Sequence, residues 1–247
     1  MPIIYLSPST QDWNAYVTGS GSEEYQMNLI ADALEPYLLA SGIRFTRNRP
    51  EMTAGSSIRQ ANSGSYDLYL ALHSNAAPEG RYGEERGIIA FYYPTSEKGR
   101  RAAEIFADNF KPIYPLPRQV YARSATNLGE VSQSNFPAVL LEIGYHDNTA
   151  DARWIEGNLG EIAEVIALSL TEYFGIPFVT PMTPWIGIVN VSHGTLNLRT
   201  YPSSAASLAA DLPAGAEIMV YGQYDDWYIV QYRGRTGYAS ARYIVRK

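Results

Sequence analysis

Three residues stand where open α/β proteins do their chemistry. His73 follows the strand-like run 67–72, and Glu142 follows the apolar run Pro137-Ala138-Val139-Leu140-Leu141. Glu24 opens a helical stretch that returns from the loop after the first apolar run. Ligands in such folds bind beyond the carboxyl ends of the strands, where the loops gather. A histidine and carboxylates meeting there could hold a catalytic zinc, which takes three N or O ligands and keeps one position for water. The bound water ionises near neutral pH, and a neighbouring carboxylate can take its proton and pass it to a leaving amine. On this reading His73 and Glu24 are ligands and Glu142 is the general base. Each residue also has a plainer reading. A lone histidine at a strand end can be a hydrogen-bonded structural residue, and a glutamate at a helix start is favoured by the helix dipole. Glu142 is the hardest to explain away, because a carboxylate placed directly after an apolar run is partly buried and needs a partner or a job.

The elements that must position these residues alternate between strand and helix. Residues 2–6 read as a buried strand, and 24–41 as a helix with Met27, Ile30, Ala31, Leu34 and Leu38 on one face and Gly42 as its C-cap. Pro36 lies inside that pattern and is expected to kink or divide the helix. Strands are expected at 43–46, 67–72, 87–93 and 138–141, with helices at 97–110 and 159–174. This alternation predicts an α/β fold, a mostly parallel sheet flanked by helices. Beyond Gly175, Pro177, Pro181 and Pro184 punctuate a linker-like stretch. After it come short β-type runs at 186–191, 195–199, 217–222, 227–232 and 237–239, which fit a small all-β barrel. The expected organisation is a first domain over 1–175, a Pro-rich linker over 176–185 and a β domain over 186–247.

Composition narrows the function. The 247 residues are 46% hydrophobic and 18% charged, with 20 tyrosines and a net charge of −6. Residues 1–180 carry 13 Lys and Arg against 21 Asp and Glu, and residues 181–247 carry 6 against 4. An acidic body argues against nucleic acid as a ligand, because phosphate binding needs clustered positive charge. With no cysteine, disulfides and thiolate metal sites are excluded. Met1 leads straight into Ile3-Ile4-Tyr5-Leu6, which lacks the basic start and length of a secretory leader, so no signal peptide is visible. No run approaches the roughly 18 apolar residues of a membrane span, and no membrane partner is expected.

The residues also carry a family resemblance. Residues 3–174 resemble the zinc-dependent N-acetylmuramoyl-L-alanine amidases of the amidase-3 family. The matching pieces are Glu24-Tyr25-Gln26-Met27-Asn28-Leu29, Leu72-His73-Ser74-Asn75-Ala76 and Pro137 to Tyr145, with Asn148 and Asp151 behind them. The resemblance implies Glu24 and His73 as zinc ligands and Glu142 as the catalytic carboxylate, with Asn75 and His146 as candidate substrate-binding residues. It implies cleavage of the amide between N-acetylmuramic acid and the L-alanine of the stem peptide. The family's first ligand, a histidine in an Asp-Pro-Gly-His-Gly loop, is absent: the place reads Ser7-Pro8-Ser9-Thr10-Gln11. Three outcomes are open: Gln11 coordinates weakly through a neutral oxygen, another residue such as His146 or Asp12 completes the site, or zinc is not held and activity is lost.

The C-terminal part resembles a bacterial SH3 domain through Thr195 to Pro202, Leu212-Pro213-Ala214-Gly215, Asp226 to Val230 and Gly234 to Ala239. The two resemblances imply peptidoglycan as partner, bound at the wall by the β domain. The alternative is a catalytically impaired amidase fold acting as a wall-binding or regulatory module. A peptidase of the same stem peptide is a weaker reading. The expected place of action is the cell wall, reached outside the cell or on lysis, as for a phage endolysin or a sporulation hydrolase.

Overall fold

The computed structural model describes residues 1–247. The chain divides into two compact units, one formed by Ile3–Leu34 and Phe45–Tyr173, the other by Met1–Pro2, Glu35–Arg44 and Phe174–Lys247.

Along the chain, β1 (Ile3–Pro8) leads into α1 (Glu23–Ala40), which passes from the first unit into the second at Glu35, then β2 (Arg44–Arg47), α2 (Ala54–Asn62) and β3 (Leu68–Asn75). Then come β4 (Ile88–Tyr92), α3 (Glu97–Phe110), β5 (Val120–Ser124) and α4 (Gly129–Ser132). The first unit closes with β6 (Ala138–Tyr145), α5 (Thr149–Gly157) and α6 (Leu159–Phe174). The sheet order is β2-β1-β3-β6-β4-β5. Strands β1, β3 and β6 are mutually parallel, β4 runs antiparallel to β6, and β5 is parallel to β4. The mostly parallel sheet flanked by helices is thus present, with one antiparallel step.

The central strands are apolar runs because both faces of the sheet are covered. Tyr5, Tyr69, Ala71 and Leu140 pack on one face with Ile58 and Ala61 of α2 and Val131 of α4. Met27, Ile30, Ala31, Leu34 and Leu38 of α1 are all fully buried. Gly42 ends that helix region at φ +75, a conformation that suits glycine. The helix is not divided at Pro36: α1 runs on to Ala40. Pro36 and Asp32, one turn before it, both face solvent, so water can take the carbonyl that lacks its N–H partner. Helix α2 was not readable from apolar spacing. It is held by a capping box in which Thr53 and Ser56 satisfy each other's backbone N–H groups.

The second unit's sheet has seven strands: β7 (Trp185–Val189), β8 (Thr195–Arg199), β9 (Leu208–Pro213), β10 (Glu217–Tyr224), β11 (Trp227–Tyr232), β12 (Arg235–Ser240) and β13 (Ile244–Arg246). They are antiparallel in the order β13-β7-β10-β11-β12-β8-β9. Alternate residues Leu196, Leu198, Val220, Val230 and Ala239 fill its core. The β11–β12 turn has positive φ at both Arg233 and Gly234, the conformation that matches strand twist in two-residue hairpins. The stretch 176–184 has no regular structure, yet Val179 within it is buried beside Ala40, Ile229 and Tyr238. The Val179 N–H donates to Ser41 Oγ at 3.1 Å.

Candidate active site

The parallel pairing of β3 with β6 puts His73 and Glu142 side by side near the carboxyl ends of neighbouring strands. Both line a cleft of about 350 Å³, together with Gln11, Glu130 and the exposed indole of Trp13. The centre of the site is a carboxylate–histidine–carboxylate chain. His73 Nδ1 lies 2.7 Å from Glu23 Oε1, and His73 Nε2 lies 2.7 Å from Glu130 Oε2. All three residues are buried, at 8%, 1% and 4% exposure for His73, Glu23 and Glu130.

Each carboxylate is held from behind. Asn14 Nδ2 donates to Glu23 Oε2 at 2.7 Å, while Ser7 Oγ and Tyr69 OH each donate to Glu130 Oε1 at 2.8 Å. Burial opposes charge on all three groups, but mutual ion pairing outweighs it. The His73 imidazole is therefore held well above the ordinary histidine range, with Glu130 contributing most and Glu23 adding to it. Against the same burial, the His73 charge and hydrogen bonds keep Glu23 and Glu130 below the usual carboxylate range.

Glu142 behaves differently. Its Oε2 is sealed from solvent and has no hydrogen-bond partner. Burial, only partly offset by the His73 charge and reinforced by the Glu23 and Glu130 charges, pushes its carboxyl up to about 7. Such a group changes protonation at neutral pH, which a proton-transfer residue requires.

The expected site residues are distributed as follows. His73 and Glu142 meet at the cleft. Glu24 does not reach His73; Glu23 stands there instead. One residue along a helix is a turn of about 100°, and Glu24 is directed to Asn28, whose Nδ2 lies 3.3 Å from Glu24 Oε1. Gln11 reaches the site with the wrong end for a ligand. Its Oε1 accepts from Asn14 Nδ2 at 3.1 Å, and its amide nitrogen lies 3.3 Å from His73 Nδ1. Asn75 and His146 are not among the cleft-lining residues. Asn75 Oδ1 accepts the N–H of Ala76. His146 is buried against Tyr16, with Nδ1 2.9 Å from the Ser74 carbonyl, and its own carbonyl anchors Val17. Both make contacts that hold the loops around the strand ends. Glu130 was missed because the four-residue α4 has no periodicity to announce it.

A three-ligand zinc site does not fit this donor set. No three His, Asp or Glu side chains come together to hold an ion. The two carboxylates meet different nitrogens of one ring, so they cannot share a metal bound by that histidine.

Behind the strand ends, Asp151 is fully buried and accepts from Arg86 Nε, Tyr114 OH and the backbone N–H groups of Gly87 and Tyr145. Asp147 likewise accepts the N–H groups of Ala77 and Gly83. Together they tie the 76–87 loop to the end of β6.

Comparison with known proteins agrees with this architecture. Residues 9–172 match the family described as N-acetylmuramoyl-L-alanine amidase, and residues 194–245 match the bacterial SH3 domain. Among solved structures, the chain is similar to the N-acetylmuramoyl-L-alanine amidase AmiC2 of Nostoc punctiforme, at 16% identity and a TM-score of 0.62 over 70% of this chain and 97% of that one. It is also similar to the catalytic domain of the amidase CwlV from Bacillus (Paenibacillus) polymyxa var. colistinus, at 17% identity and a TM-score of 0.61 over 72% and 100%. A third, the catalytic domain of the CD27L endolysin targeting Clostridia difficile, gives 21% identity and a TM-score of 0.55 over 70% and 98%. At these identities the likeness is one of fold. No curated protein matches the chain significantly.

Proposed function

Because this chain belongs to the N-acetylmuramoyl-L-alanine amidase family, we propose that it hydrolyses the amide between N-acetylmuramic acid and the L-alanine of the stem peptide, with Glu142 as the proton-transfer group. The observation that carries this is the state of Glu142: a cleft carboxyl with an unpartnered oxygen, poised near neutrality beside the charged His73. Ionised Glu142 takes a proton from water as the water oxygen attacks the lactyl carbonyl carbon. The C–N bond breaks, and the proton passes from Glu142 to the departing alanine nitrogen. The charge of His73 lies close enough to act on Glu142 and favours its ionised form, against the opposing Glu23 and Glu130 charges. No step runs through zinc.

The SH3-like unit is proposed to hold the enzyme on peptidoglycan and raise its local concentration at the wall. An open groove of about 720 Å³ in that unit, lined by Asn197, Arg199, Trp227 and Tyr243 among others, offers cationic, amide and aromatic contacts for such a polymer. Trp227 takes part in both the groove and the packing around Ile229 and Tyr238, whereas Tyr228 packs against the main core of the unit.

The test is digestion of purified sacculi with identification of the new ends by mass spectrometry. Free L-alanine amino termini are expected, and Glu142→Ala should release none. Binding to sacculi without any release would refute the enzyme reading and favour a wall-binding role.

A further inference from the structure

The place where a metal would be expected is built for protons instead. Carboxylates only accept hydrogen bonds, so a histidine contacted at 2.7 Å on both nitrogens carries a hydrogen on each and keeps no lone pair for an ion. The separation itself is that of a charge-assisted N–H···O bond. Ligand atoms around a tetrahedral zinc, with bonds of about 2.1 Å, stand about 3.4 Å apart. Opening either contact would strain a supported carboxylate, because Asn14 fixes one and Ser7 with Tyr69 fixes the other. The loop that should bring a third ligand offers a hydroxyl at Thr10, and Gln11 turns its nitrogen inward. The doubly contacted ring, the supported carboxylates and the ligand-poor loop all point the same way.

We propose that this chain carries a metal-independent form of the amidase site, in which the hydrogen-bonded chain Glu23–His73–Glu130 engages both ring nitrogens and leaves no coordination position for an ion. Glu23 and Glu130 are positioning residues that hold the His73 ring and its two hydrogens in place. Glu130, from the short α4, is the residue that closes the arrangement: it takes the second ring nitrogen. The bond changes are those of plain hydrolysis, with water as the only co-reactant, so no oxidant, reductant or ion is needed for balance. The inference rests on the amidase reading for its chemistry but not for its test.

The test is zinc retention by the full chain. The protein is incubated with zinc, desalted and analysed for metal by plasma mass spectrometry, in parallel with His73→Gln. The expected result is that no zinc is retained in a His73-dependent way. One zinc per wild-type chain, lost in His73→Gln, overturns the proposal. Independently of whether that variant folds, the wild-type protein labelled with 15N-histidine should show two hydrogen-bonded N–H protons on the His73 ring at neutral pH. A ring with a single N–H, its other nitrogen shifted on adding zinc, also overturns it. Sacculus cleavage should persist after treatment with dipicolinate, and cleavage lost to the chelator and restored by zinc would refute it. If sacculi are not cleaved under any condition, the amidase reading fails, while metal content and the ring protons still decide this one.

Discussion

Replacing Glu142 by glutamine should abolish hydrolysis and, at the same time, make the protein more stable. The wild-type carboxyl is pushed from 4.5 up to about 7 by burial and by the nearby Glu23 and Glu130 charges. A folded state that binds the proton more tightly than the unfolded chain loses stability as pH rises between those two values. Below 4.5 both states are protonated and there is no difference. Above about 7 the loss is complete, and at about 1.36 kcal/mol for each pH unit of the gap it comes to about 3 kcal/mol. A glutamine cannot ionise and escapes this cost while keeping the shape. Urea unfolding of Glu142→Gln and wild type at pH 5 and pH 8 measures it. The variant should gain up to about 3 kcal/mol at pH 8 and under about 1 kcal/mol at pH 5. A variant no more stable than wild type at pH 8, or one stabilised equally at both values, would refute the claim that Glu142 is a strained, uncompensated carboxyl.

Other substitutions probe the frame of the site and the second unit. Wild-type kcat/KM on soluble muropeptide should rise with pH along a limb centred near 7, since Glu142 must be ionised to act as base; a rate flat from pH 5 to 9 would remove it from that role. Asp151→Ala strips a buried carboxylate from four donors and should cost about 3–5 kcal/mol in urea unfolding. Gly237→Ala would set a Cβ 2.6 Å from the Arg199 carbonyl and 2.9 Å from Leu198 Cγ, so thermal unfolding should report a loss of about 1–3 kcal/mol. Trp13, 71% exposed on the cleft rim, presents a flat apolar face to substrate. Trp13→Ala should leave stability within about 0.5 kcal/mol while raising KM for muropeptides.

What the sequence determined by itself was the frame. Apolar runs without alternation announced β1, β3 and β6 as strands covered on both faces, and helical spacing placed α1, α3 and α6. The same runs put His73 and Glu142 at strand ends, while the parallel pairing that sets the two residues abreast came from the fold. Quoted motifs pointed to the amidase family and the SH3-like unit, and the family models match both. Short polar elements such as α2 and α4 left no trace in the pattern, since caps and tertiary packing rather than an apolar face hold them.

Only the tertiary structure decided the chemistry of the site. Whether Glu23 or Glu24 faces the histidine depends on where α1 begins, and a shift of one residue turns the side chain by about 100°. Glu130 lies 57 residues from His73 in the chain, so nothing local connects them. Hydrogen-bond partners set which end of the Gln11 amide points inward. Burial and charge are sums over every neighbour in space, which is why the state of Glu142 and the double occupation of the His73 ring became visible only once the chain was folded.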